Sequence, residues 1–244
     1  MFWNRKTKCP VTEQDRIWIE KKLDWVNTNV INLEKQPTIL PDKKYFERDF
    51  TGDEDDAHYI LEVLSLYFQI NPKKIHLNFY SEETQKFSSG LRTERLKKAG
   101  TAGLYIQDGY KSFIEIEVQQ LKKTPSLIAT MAHELSHYIL ITDKGYFFEG
   151  DENEWLTDLT AIAFGFGIFM GNSRFQFNKW QNGDGWSGWS SSAQGYLPEQ
   201  VIAYAMAEIQ FRKKEMKPKW TNYLERGIKK YFQKSLKYIA ENKG

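Results

Sequence analysis

The dipeptide Asp108-Gly109 stands between two segments of alternating apolar and polar residues, Gly103 to Gln107 and Tyr110 to Gln119. A turn pair of this kind between period-two segments specifies an antiparallel hairpin, because its backbone twist matches that of the flanking strands. Ile114, Ile116 and Val118 fall on one face of the second strand, and Phe113, Glu115 and Glu117 on the other. Shortly afterwards Thr124-Pro125 offers a helix N-cap and an N1 proline. Ile128, Met131, Leu135 and Ile139 then recur at helical spacing as far as Asp143-Lys144-Gly145, where the glycine suits the C′ position. A hairpin that feeds straight into a long helix predicts an α+β fold with a small antiparallel or mixed sheet.

The flanking sequence adds helices. Thr12 with Glu13 and Asp15 opens one that the periodicity extends from about 13 to 33, until Pro37 and Pro41 break it. An acidic start at Thr51 to Asp56 opens a second, running to about Gln69, and Ile75, Leu77 and Phe79 then alternate as a short strand. A further helix begins at Asp151 to Asn153 and continues through the apolar stretch Ala161 to Met170. Residues 178–197, rich in Gly, Ser, Trp and Asn, read as a long loop. Two last helices are expected over 198–213 and 219–240. The chain thus divides into a helical N-terminal extension over 1–56, a central domain over 57–213, and a basic amphipathic helix over 214–244 packed on that domain. Tyr223, Leu224, Ile228, Phe232, Leu236 and Ile239 form the inward stripe of this last helix.

Composition narrows the chemistry. A single cysteine, Cys9, excludes an internal disulfide and a cysteine-built cluster, leaving histidine and carboxylate as metal ligands. Cys9 itself reads as a small residue at a helix entrance rather than a thiolate over a metal. The net charge of +2 gives no reason to expect a nucleic-acid partner, although residues 212–244 carry eleven basic residues against three glutamates. The first residues lack the apolar run of a secretory signal, so a cytoplasmic protein without stable membrane association is expected.

His133-Glu134-Leu135-Ser136-His137 lies inside the helix that opens at Thr124. Residues i and i+4 share a helix face, so His133 and His137 project to one side and can share a cation, while Glu134 sits one step round. Two imidazoles on one face with a glutamate between them suit metal-assisted hydrolysis, in which a carboxylate takes a proton from an activated water. Three protein ligands are needed to leave a fourth position open, so a third must come from elsewhere.

The motif resembles that of the zincins. The metzincin branch would require a glycine at position 140, where this chain has Leu140, although Asp143 is present. The gluzincin, thermolysin-like branch takes its third ligand from a later helix in the pattern Asn-Glu-x-x-Ser-Asp, and Asn153-Glu154-Trp155-Leu156-Thr157-Asp158 is similar to it. The resemblance covers about residues 103 to 171. It implies a zinc ion held by His133, His137 and Glu154, Glu134 as general base, and Asp158 as hydrogen-bond acceptor for His133. It also implies that the strand before the motif helix, Tyr110 to Gln119, is an edge strand able to pair with an extended substrate. Gly165 and Gly167 are expected to allow close approach of the ligand helix to the motif helix.

One departure is visible: no histidine follows the motif, the four standing at 58, 76, 133 and 137. An oxyanion donor must then be a tyrosine, with Tyr146, Tyr196 and Tyr204 as candidates, or a backbone amide. His58 and His76 lack ligand spacing. Trp186, Trp189 and Tyr196 either line a substrate cleft as a lid or tack down a surface loop. The expectation is a zinc-dependent peptidase acting on a peptide or protein; the alternative is a zinc-stabilised binding or regulatory module with a loop-closed cleft.

Overall fold

The computed structural model describes residues 6–81, 102–146, 151–173 and 196–243. It is α+β, with a three-stranded mixed sheet. The described residues fall into two compact units, one drawn from 41–81, 102–146 and 173, the other from 6–40, 151–172 and 196–243.

The first unit holds the sheet and the motif helix. Helix α1 belongs to the other unit and spans Glu13–Asn29; helix α2, Glu54–Phe68, opens this one. Asp53 caps α2 by accepting from the Asp56 N–H, and buried Asp56 reciprocates by accepting from the N–H groups of Thr51 (2.6 Å) and Gly52 (2.7 Å) while pairing with Arg48. Gln69 ends the helix in the left-handed region at φ 56°. Strands β1 (Ile75–Tyr80), β2 (Gly103–Asp108) and β3 (Lys111–Glu117) follow. Asp108 pairs with Lys111, so the two loop residues are Gly109 and Tyr110, one position later than the turn pair expected. Gly109 alone has positive φ (58°), the pattern of a type II′ turn. The strand order is β1-β3-β2, with β3 parallel to β1 and antiparallel to β2. This corrects the expected edge position of 110–119. β3 is central and its backbone is spent on both neighbours, while β2 is an edge strand among the described residues. β3 also stops at Glu117, because that side chain accepts from the Gln119 N–H (2.8 Å) and starts a 3-10 turn, Val118–Lys122.

Helix α3, Thr124–His137, packs on α2 and β2. Its cap position is Lys123, with no side-chain cap bond, so Thr124 is the first helical residue rather than the cap. Every residue from Ser126 to Leu140 is buried, which the single apolar stripe does not anticipate. The helix then widens into a π turn, Tyr138–Asp143, confirmed by the Lys144 N–H bonding back to Ile139 O, and Gly145 follows at φ 67°.

The second unit is helical. Thr12 caps α1, which stops at Asn29 because the Val30 and Ile31 N–H groups both turn to Val26 O and Asn27 Oδ1 takes the Leu33 N–H. Helix α4, Asp151–Ala161, passes into a π turn, Ile162–Phe166, that is kinked where Gly165 leaves helical geometry. Helices α5, Glu199–Arg212, and α6, Arg226–Lys243, form its most extensive pairing. Ile228, Phe232, Leu236 and Ile239 of α6 are buried as expected, whereas Tyr223 is exposed. Gly165 has φ 100°, accepts from the Ile39 N–H (3.0 Å), and leaves only 2.1 Å between an added Cβ and Pro37 O. Gly167 meets Met206 of α5. The two glycines therefore serve contacts to the N-terminal stretch and to α5, not to the motif helix. The 56/57 boundary drawn from the sequence falls inside α2, and α6 shares a unit with α1. No helix of the described residues is long and apolar enough to cross a membrane.

Candidate metal centre

The two motif histidines occupy the last two turns of α3, and both are buried (3% and 8% exposed). Their rings stand nearly perpendicular (83°), with Nε2 of His133 3.1 Å from Nε2 of His137. Two nitrogens bound to one tetrahedral zinc at about 2.05 Å would lie about 3.3 Å apart, so this spacing is already that of a ligand pair. One ligand atom from each of His133, His137 and Glu154 lies within 4.8 Å of the other two. Two imidazoles and one carboxylate are the donor set of hydrolytic zinc sites, and they leave a position for water. The three side chains could hold a metal ion.

Glu134 is 3% exposed. Its carboxylate lies over the backbone of β2 at Gly103, where an added Cβ would stand 3.0 Å from Glu134 Oε1 and 2.5 Å from Thr130 Cγ2. A glycine inside a strand signals close backbone approach, and that signal in Gly103 went unread in the sequence.

On α4, Glu154 is half-buried, and Asp158, one turn on, is 1% exposed. Asp158 Oδ2 accepts from the Leu197 N–H (2.8 Å), which fixes one oxygen of the carboxylate. Asn153, beside Glu154, buries an Oδ1 that has no hydrogen-bond partner among the described residues.

The three tyrosine candidates separate. Tyr204 is fully buried in α5 and donates to Glu20 of α1 (2.8 Å). Burial, then the bond to Glu20, pushes its phenol well above the usual range. This corrects its candidacy, since its hydroxyl is committed to the helical core. Tyr196 is half-buried and precedes Leu197, whose amide holds Asp158. Tyr146 is half-buried, its N–H bonded to Leu140 O (2.7 Å) beyond the π turn. Trp186 and Trp189 lie outside the described residues. His58 meets Phe79 edge-on and His76 stacks on Phe113, and neither belongs to the histidine and carboxylate group found among the described residues. Cys9 contacts Tyr238 of α6.

Sequence reasoning also missed Tyr105. Its ring lies parallel to the His137 imidazole (13°, centroids 6.4 Å apart). Its hydroxyl meets Ser112 Oγ of β3 (3.1 Å) and Thr142 Oγ1 of the π turn.

No protein-family model, curated protein or solved structure matches this chain.

Proposed function

We propose that the chain is a zinc-dependent hydrolase of peptide bonds, with the ion held by Nε2 of His133, Nε2 of His137 and a carboxylate oxygen of Glu154. The observation that carries this reading is that one ligand atom from each of those three residues lies within 4.8 Å of the other two, with a buried glutamate between the histidines. The zincin resemblance of the two motifs supports it independently. Zinc in such a set supplies Lewis acidity and a water whose pKa falls to about 7. Glu134 accepts the proton of the attacking water and returns it to the leaving amine, within the reach that general base catalysis requires. Asp158, already oriented through its Leu197 bond, holds the His133 ring. Tyr196 or Tyr146 supplies the hydroxyl that steadies the developing oxyanion.

Protein purified without added metal should contain about one zinc per chain by elemental analysis. Glu134→Gln should abolish hydrolysis of a peptide that the wild type cleaves and leave the zinc content unchanged; an undiminished rate refutes the base assignment. The depth of burial of Glu134 and both histidines favours one competitor, a metal-stabilised binding or regulatory module without turnover. Stoichiometric zinc with no cleavage across a broad peptide library would select that reading.

A further inference from the structure

A histidine ligand has a broad, roughly two-fold χ2 torsion, so rotamer preference alone does not choose the plane of the His137 ring. In this fold an aromatic ring lies parallel to it. Tyr105 projects from β2 with its ring parallel to the imidazole, while Tyr138, next to His137 in sequence, meets the same tyrosine edge-on (89°, 6.3 Å). At its far end Tyr105 is held twice, by Ser112 across the hairpin and by Thr142, five residues beyond His137. The π turn matters here: its wider i to i+5 spacing brings Thr142 within reach of the tyrosine that also covers His137.

We propose that Tyr105 is a positioning residue for His137: pinned at its hydroxyl by Ser112 and Thr142, its ring sets the imidazole plane and so directs Nε2 toward Nε2 of His133. The inference rests on the metal reading above. It adds a hairpin residue that touches neither metal nor substrate to what tunes the site, much as the outer partners of a metal-bound histidine do.

The test is Co²⁺ titration of the full chain followed by visible absorption, for the wild type, Tyr105→Phe, Thr142→Val and the double variant. Tyr105→Phe keeps the ring and removes its anchor, so Co²⁺ affinity should fall by about 10- to 100-fold with altered band positions. Thr142→Val should reproduce much of the loss, and the double variant should add little, because both changes cut the same link. Unchanged affinity and bands in Tyr105→Phe, or losses that add fully, would overturn the proposal. Thr142→Val carries the test alone if Tyr105→Phe does not fold. Should the wild type bind no Co²⁺, the metal reading fails, and the His137 side-chain ¹⁵N signals of metal-free protein decide the positioning claim. A change of tautomer or ring averaging in Tyr105→Phe upholds it; identical signals end it.

Discussion

A methyl group at position 103 would press on Thr130 and on Glu134 together. Gly103→Ala should cost about 1–3 kcal/mol as overpacking. It should also impair hydrolysis more than zinc content, because the displaced group is the proposed base and not a ligand; calorimetry beside elemental analysis and peptide turnover separates the two effects. Asp56 makes a different point. Burial alone would raise its pKa, but the Gly52 amide, Arg48 and the Thr51 amide together hold it below the ordinary carboxylate range. A depressed folded value means that its stabilisation is complete above the unfolded pKa of about 3.9 and is lost as the pH falls through the folded value. Asp56→Asn should therefore lower the urea midpoint at pH 7 by the equivalent of about 1.5–3 kcal/mol, with the gap to wild type closing below pH 4. The acidic opening of α2 was legible at 51–56, but the bonds that Asp56 accepts from Thr51 and Gly52 were not. The orphan Asn153 Oδ1 and the Tyr204 bond to Glu20 were not, since the first depends on packing and the second joins residues 184 positions apart.

Both helices that carry candidate ligands widen into π turns within a few residues, at 138–143 and 162–166. Neither turn has a spacing signature, because an apolar run reads alike under i to i+4 and i to i+5 bonding, so a plain helix was the natural expectation in both places. Caps, the hairpin and the i, i+4 histidine pair are local in sequence, and those were read correctly to within a residue or two. The central position of β3 was hidden for the opposite reason: its parallel partner β1 lies across a long connection, and strand order is set by that pairing rather than by the alternation of either strand. The role of Gly165 was likewise misread, as its partner is Pro37 in a distant stretch of chain. Gly165→Ala is expected to lose at least about 2 kcal/mol, since positive φ alone costs about 1–3 kcal/mol and the Pro37 carbonyl leaves no room for the new carbon. Equilibrium urea unfolding measures it.

At the scale of the molecule, a ligand that binds only the folded chain must stabilise it. Free zinc at 100 times its dissociation constant should add about 2.7 kcal/mol, seen as a melting temperature that climbs with zinc and returns on chelation. A His133→Ala variant should lose that response. The helical unit offers a second handle: Lys243 near the end of α6 reaches both Glu208 and Glu20, and Glu208 is 3% exposed. Lys243→Met strips a charge from that buried carboxylate and should cost about 3 kcal/mol in urea unfolding, with Arg212 left as its remaining cation. That same unit is stitched from three separated stretches, α1 packing on α5 across some of the longest contacts in the chain. During synthesis, then, Ile19, Leu23 and Val26 of α1 leave the ribosome well before α4 and α5, the helices on which α1 packs, have been made.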